Sequence, residues 1–92
     1  MKVSVIVPAY NEEGSIGRCL VSLSHQTIPR SDYELIVVDG GSSDATVAEA
    51  EPLCDLVFVQ ESERVGGARN DGVARATGPI VATTDADCIV PP

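Results

Sequence analysis

The chain has 92 residues, which is enough for one domain with a modest hydrophobic core. Its 14 acidic and 6 basic side chains leave a net charge of −8, which excludes a general binder of the phosphate backbone, so we expect no nucleic-acid partner. No apolar run approaches the ~20 residues of a membrane helix, so we expect a globular domain without a membrane segment.

The first predicted strand is residues 3–7, a β-branched run that Pro8 closes because proline cannot donate to a sheet ladder. Asn11 is a good helix cap, and it precedes apolar residues with the i, i+3, i+4, i+7 spacing of one helix face. This apolar stripe is formed by Ile16, Cys19, Leu20 and Leu23. We therefore expect a first helix that packs on a sheet.

A second strand is predicted at residues 34–39, where consecutive apolar residues indicate burial on both faces, as in a parallel sheet. A loop rich in glycine and serine follows at residues 40–43. Asp44 is placed to cap a short helix that Pro52 ends. Residues 56–59 then have the composition of a third strand.

Gly66 and Gly67 open a third predicted helix over residues 68–76, and residues 80–84 form a fourth strand that ends at Asp85. Strand and helix alternate throughout, which predicts an α/β fold, a Rossmann-like parallel sheet of about four strands with flanking helices. Ligands of such sheets bind beyond the carboxyl ends of the strands. The segments expected at that edge are residues 8–12, 39–44 and 85–87.

Asp85 and Asp87 lie one residue apart at the end of a predicted strand, so both carboxylates can point into the same space. Their mutual repulsion favours a cation, and a hard divalent ion completed by phosphate oxygens and water is the expected partner. The alternative is an Asp-rich turn without a ligand. The position at the ligand edge of the sheet favours the metal site.

Three further candidates lie at the same edge. Asp39 can accept a hydrogen bond from a base or ribose, although the Asp-Gly-Gly-Ser segment that it begins is also typical of an ordinary turn. Arg69 lies in the first turn of a helix, where a cation opposes the helix dipole. This favours an anionic or carbonyl-bearing ligand for Arg69, the alternative being an ion pair with Asp71 or Glu63. Tyr10, one of three aromatic residues, lies on the ligand side.

The acidic excess and the cysteines bear on the environment of the protein. An excess of acid with a single lysine suits a high-salt cytoplasm, and the alternative is a solubilising surface. Cys19, Cys54 and Cys88 are odd in number without CxxC spacing, which predicts neither disulfides nor a zinc site. We expect small buried side chains in a reducing compartment, hence a cytoplasmic protein, either free or at the cytoplasmic face of a membrane in a longer parent.

Four segments taken in order resemble the family 2 glycosyltransferases of the GT-A fold. They are residues 4–13 (SVIVPAYNEE), 36–44 (IVVDGGSSD), 67–70 (GARN) and 84–87 (TDAD). The resemblance covers nearly the whole chain, but only the first part of a catalytic domain that is usually much longer. It implies a partial GT-A fold in which residues 1–92 are a single nucleotide-sugar-binding donor half, truncated on its C-terminal side.

The resemblance also implies roles for individual residues. The pocket for the nucleotide base and ribose would be lined by Pro8, Ala9, Tyr10, Glu12 and Asp39. Arg69 would reach the base or a phosphate, Asp85 would face the ribose, and Asp85 and Asp87 would hold Mn or Mg against the diphosphate. The implied reaction moves a sugar from a nucleoside-diphosphate sugar, with a UDP sugar favoured, to an acceptor hydroxyl, usually with inversion.

In the family, the acidic general base would follow residue 92. We therefore expect this chain alone to transfer sugar poorly, because a lost general base typically costs about 10²- to 10⁴-fold in rate. Further strands of the sheet would follow as well, so one sheet edge is expected to be uncovered and open to self-association.

Three other functions share part of the pattern. A non-catalytic nucleotide-binding module would carry every motif named above. A phosphoryl-transfer enzyme of the haloacid-dehalogenase kind also has a DxD after a strand, but near the chain start and with Thr or Val where Ile89 stands here. A sugar nucleotidylyltransferase would need a basic glycine-rich loop after the first strand, whereas residues 8–13 are acidic.

Overall fold

The computed structural model describes residues 2–61 and 67–91. The strands are β1 Val3–Ala9, β2 Tyr33–Asp39, β3 Leu56–Val59 and β4 Ile80–Thr83, and the helices are α1 Ser15–Leu23, α2 Thr46–Ala50 and α3 Gly67–Arg75. Short 3₁₀ turns at Arg30–Asp32 and Glu51–Leu53 lie before β2 and β3. α3 and β4 agree with their predicted ranges to within one residue, and Gly66, one of the two glycines predicted to open α3, lies outside the described residues.

The strands form one parallel sheet in the order β3-β2-β1-β4, which confirms the predicted α/β fold. β1 and β2 pair from Val3 with Tyr33 to Ala9 with Asp39, so their carboxyl ends are level. The strand order reverses beside β1, because β2 and β3 follow on one side of it and β4 returns to the other. Such a reversal opens the crevice in which parallel sheets bind ligands.

The two faces of the sheet bury different residues. The α1 and α2 face buries Val5 and Val7 of β1 together with the whole predicted stripe of α1, which is thereby confirmed. The other face buries a smaller cluster under α3, formed by Ile6, Ile36 and Val38. α3 approaches this face closely at Gly72, where an added Cβ would lie 2.4 Å from Ile6 Cγ2.

The predicted starts of the first two helices are wrong. α1 begins at Ser15, whereas Asn11 has a φ of 51° and lies in the preceding loop. The cap position of α2 is Ala45. Asp44 lies one residue before this position, and its Oδ1 accepts the Thr46 N–H at 3.0 Å. The two loops before these helices bond to each other, and a local pattern does not reveal such a partner.

Pro8 lies within β1 and does not close it, which corrects the predicted end of this strand. The Ile6 carbonyl oxygen accepts the Thr84 N–H on the β4 side, and Pro8, two residues further along, faces the same side. β4 has already ended at Thr83, so the sheet requires no donor from Pro8 there. β1 therefore continues to Ala9 against β2.

The cysteines differ from the prediction that all three are buried. Cys19 is buried under the sheet, Cys54 is half-buried and Cys88 is exposed, because it follows the last strand in an open turn. Burial, together with the nearby charges of Cys88, Asp87 and Asp85, raises the pKa of the Cys19 thiol to about 11.

Candidate functional site

The structure places the predicted site residues along one edge of the sheet. They lie in or after β1 (Pro8, Ala9, Tyr10 and Glu12), at the end of β2 (Asp39), after β4 (Asp85 and Asp87) and in the first turn of α3 (Arg69). Contacts divide them into one group around Asp39 and a second around Asp85. The Asp39 group lies at the ends of β1 and β2, and the Asp85 group lies after β4, across the strand-order reversal.

Asp39 is buried, with a relative exposure of 2%, and its carboxylate organises the turn that follows β2. Its Oδ2 accepts the backbone N–H groups of Gly41 at 3.0 Å and Ser42 at 2.8 Å, and its Oδ1 accepts the Ser42 hydroxyl at 2.5 Å. An ionised carboxylate has about four acceptor positions. The turn predicted as an alternative is therefore present, and three of these acceptor positions of Asp39 are occupied.

Tyr10 is the exposed member of the Asp39 group, with 60% relative exposure, and its ring lies beside Gly40. A Cβ at Gly40 would stand 3.4 Å from Tyr10 Cδ1, a van der Waals distance, so the ring packs against this turn. Ala9 is buried in the core and its carbonyl oxygen accepts the Gly40 N–H at 2.8 Å. Pro8 and Glu12 are half-buried on either side of this pair.

Arg69 and Asp85 bring α3 and the end of β4 together. Arg69 Nη2 lies 3.7 Å from Asp85 Oδ1, and the two side chains are 54% and 69% exposed. An ion pair this open contributes little to stability, so it leaves the guanidinium available to an anion. Of the partners predicted from sequence, Glu63 lies outside the described residues. Arg75, further along α3, is exposed and its guanidinium lies over the Phe58 ring at 4.3 Å.

Asp85 and Asp87 are exposed while Ala86 between them is buried, in a turn that follows the end of β4. One ligand atom each from Asp85, Asp87 and Cys88 lies within 4.8 Å of the others. Oxygen ligands at about 2.0–2.6 Å on opposite sides of a divalent cation are about 4–5 Å apart, so the two carboxylates fit such an ion.

Cys88 is a member of this cluster that sequence reasoning missed. Its backbone N–H donates to the Asp85 carbonyl oxygen at 3.1 Å, and its Sγ lies 3.9 Å from Asp87 Oδ1. The signal that could have found it is its place directly after the DxD, where the turn returns it to the side of Asp85. As a soft ligand it matches Mg poorly, so the carboxylates remain the principal ligands.

Among the described residues, no helix is both long enough and apolar enough to span a membrane. The model of the family described as "Glycosyl transferase family 2" matches residues 4–92. This match decides against the dehalogenase-like and nucleotidylyltransferase alternatives.

Among sequence relatives, glycosyltransferase AglE of Haloferax volcanii is 42% identical over 92 residues, covering 94% of this chain and 30% of the relative. Among solved structures, the mannosyltransferase PcManGT from Pyrobaculum calidifontis, in complex with GDP-Man and Mn²⁺, superposes with a TM-score of 0.87 at 35% identity, over 99% of this chain and 29% of the other. Staphylococcus aureus TarS 1-349 with UDP-GlcNAc gives a TM-score of 0.81 at 39% identity, over 95% and 27%. The chain thus spans less than a third of each of these proteins.

Proposed function

This chain belongs to glycosyl transferase family 2, and we propose on that premise that it is the donor-binding part of a transferase. Its ligand is a nucleoside-diphosphate sugar, held together with Mn or Mg for transfer to an acceptor hydroxyl. The observation that carries the proposal is that Asp85 and Asp87 offer oxygens within 4.8 Å at the crevice edge of the sheet, with Arg69 3.7 Å from Asp85. Two carboxylates and a guanidinium suit a metal-bound diphosphate.

The base and ribose lie against the Asp39 group in this proposal. The remaining acceptor position of the Asp39 carboxylate receives an N–H of the base or a ribose hydroxyl. The exposed Tyr10 ring offers a flat apolar surface for the base, with Pro8 and Glu12 beside it. Ala9 contributes through the backbone, since its side chain is buried in the core.

The diphosphate lies against the second group. Asp87 and Asp85 hold the cation, Asp85 also faces the ribose, and Arg69 reaches the base or a phosphate oxygen with its guanidinium fork. A divalent cation bound there would neutralise the charge of the departing diphosphate. Because the chain spans 30% of the archaeal relative, we assign donor binding to these residues and the transfer step to the whole protein.

We favour a UDP sugar over a GDP sugar as the donor. The relatives do not decide this, because TarS was solved with UDP-GlcNAc and PcManGT with GDP-Man. We also propose a cytoplasmic location, since Cys19, Cys54 and Cys88 are all free thiols. Self-association is proposed at the β4 edge of the sheet, where every residue of the strand is exposed.

Calorimetric titration of UDP and of GDP into the chain tests the donor site, first with Mn and then with EDTA. Asp87→Asn removes one negative charge from the cation site without changing side-chain size, and Glu51→Gln removes one from an exposed turn away from the site. We expect binding that requires the metal, is weakened more than tenfold by Asp87→Asn and is unaffected by Glu51→Gln. Folded protein that binds neither nucleotide would refute the donor site.

A further inference from the structure

The loop between β1 and α1 is held by side chains of the loop and helix that follow β2. The backbone N–H groups of four consecutive residues each donate to such a side chain. The pairs are Asn11 to Ser42 Oγ at 2.8 Å, Glu12 to Thr46 Oγ1 at 2.9 Å, Glu13 to Asp44 Oδ2 at 3.3 Å, and Gly14 to Glu49 Oε1 at 2.8 Å. We call Ser42, Asp44, Thr46 and Glu49 the clasp.

The bonding is reciprocal. Asn11 Oδ1 accepts the Ser43 N–H at 2.9 Å, and Glu13 Oε1 accepts the Ala45 N–H at 2.8 Å. Each loop therefore supplies acceptors for the backbone donors of the other. If the two loops were not bonded to each other, these backbone N–H groups would donate to water. Each hydrogen bond between the loops restricts the conformational freedom of both.

Glu49 also replaces the missing cap of α1. The helix has no capping side chain of its own, and Glu49 Oε2 accepts the Gly17 N–H at 2.6 Å while Oε1 accepts that of Gly14. A carboxylate at a helix N-terminus satisfies unpaired donors and opposes the positive end of the dipole. Gly17 leaves the necessary space, since a Cβ there would lie 2.7 Å from Glu49 Oε2.

The clasp is connected to the proposed base pocket through two residues. Ser42 Oγ accepts the Asn11 N–H and donates to Asp39 Oδ1, so one hydroxyl joins the β1 loop to the Asp39 carboxylate. Thr46 is fully buried, holds Glu12 by its backbone and donates to Asp44 Oδ1. That Thr46 hydrogen bond holds the pKa of Asp44 below its ordinary value, which keeps Asp44 an acceptor.

We propose that the clasp, with Thr46 at its centre, consists of positioning residues for nucleotide binding. It holds the loop of Tyr10 and Glu12 and the Asp39 carboxylate in their binding arrangement before the ligand arrives. This inference rests on the proposed function, because it assigns the clasp to that base pocket. A loop already ordered loses less conformational freedom on binding, so the clasp raises affinity without touching the ligand.

Two substitutions at one position separate positioning from general stability. Thr46→Val keeps the volume but removes the hydroxyl, leaving the Glu12 N–H unpaired, whereas Thr46→Ser keeps the hydroxyl and loses a buried methyl group. We expect both to lower the melting temperature. In titrations of UDP and GDP with Mn, Thr46→Val weakens binding by about tenfold and Thr46→Ser by less than about twofold.

Glu34→Gln is the matched control. Glu34 accepts bonds from the Ser4 hydroxyl at 2.5 Å and from the Thr77 N–H and hydroxyl at 2.8 and 2.7 Å, at the opposite end of the sheet. Its loss lowers the melting temperature without reaching the pocket, so nucleotide affinity stays at the parent value. Affinity lost equally in Glu34→Gln and Thr46→Val would overturn the positioning role.

A second readout needs no ligand. Hydrogen exchange of the amides at residues 11–14, measured in the unliganded chain, is expected to be at least about tenfold faster in Thr46→Val than in Thr46→Ser. A parent chain that binds neither nucleotide defeats the proposed function and the assignment of the clasp to a base pocket. A parent chain that binds, with equal affinity and equal exchange in Thr46→Val and Thr46→Ser, defeats the inference alone.

Discussion

Gly72→Ala is the substitution whose cost can be worked most directly from the structure. The new Cβ would lie 2.4 Å from Ile6 Cγ2 and 3.1 Å from Ile6 Cδ1, whereas carbon atoms in contact are normally about 3.5–4.0 Å apart. Ile6 is fully buried and β-branched, so it has little freedom to rotate away, and α3 must move outward. Overpacking of this kind costs about 1–3 kcal/mol.

A gain in helix propensity of about 1 kcal/mol opposes this cost, because alanine replaces glycine in the interior of a helix. We expect a net loss of up to about 2 kcal/mol in the free energy of unfolding, which lowers the melting temperature of a domain of this size by up to about 16 °C. Urea unfolding followed by circular dichroism measures the change. An outward shift of α3 would also lengthen the 3.7 Å contact between Arg69 and Asp85.

Two further variants decide whether the Ile6 contact is the cause. Asn70→Ala, at an exposed position of the same helix, has the propensity gain alone and should stabilise by a few tenths of a kcal/mol. Ile6→Leu removes the Cγ2 branch at similar volume, so Gly72→Ala should cost about 1 kcal/mol less in that background. If Gly72→Ala stabilises the parent chain as Asn70→Ala does, the reasoning about this helix-sheet contact is refuted.

Three other predictions concern charge. Glu49→Gln places an amide NH₂ against the backbone N–H of either Gly14 or Gly17, so it should lower the free energy of unfolding in urea by about 1.5–3 kcal/mol. The control Glu51→Gln should leave that free energy unchanged. Burial raises the pKa of Glu34, but hydrogen bonds from Ser4 and Thr77 outweigh it and lower that pKa below its ordinary 4.5. Because the folded state favours the ionised carboxylate, Glu34 contributes to stability above pH 4.5, and this contribution is lost as the pH falls through the lower folded pKa. Glu34→Gln should therefore flatten the pH dependence of the free energy of unfolding in this range. The chain has a net charge of −8, so its acidic side chains repel one another. Raising KCl from about 0.1 to 1 M shortens the Debye length from about 10 to 3 Å, which screens this repulsion and should raise the melting temperature. An unchanged melting temperature would favour the explanation that the acidic residues only make the surface soluble.

The elements that the sequence predicted correctly are those whose signal is local. Four strands and the buried stripe of α1 follow from the alternation of apolar runs and turn residues, and β3 at Leu56–Val59 agrees with its predicted range. Hydrophobic period and turn chemistry are properties of neighbouring residues, so a single sequence carries them. The same holds for the place of the DxD, which directly follows the apolar run of β4.

The errors lie where a distant residue takes over a local role. Asn11 was expected to cap α1, but Glu49, 35 residues beyond Gly14, accepts the helix's N-terminal amides. Pro8 was expected to end β1, but the early end of β4 removes the need for its missing donor. Cys88 was expected to be buried, but the turn after β4 exposes it beside Asp87.

The sequence by itself determined the fold class, the placement of the candidate residues at the carboxyl ends of the strands and the family of this protein, because each depends on patterns along the chain. The tertiary structure decided the strand order that sets β4 beside β1, the pairing of Arg69 with Asp85, and the clasp across the two loops. These contacts join residues far apart along the chain, and a donor or acceptor in a sequence does not specify its distant partner. Packing selects that partner when the sheet brings the loops together.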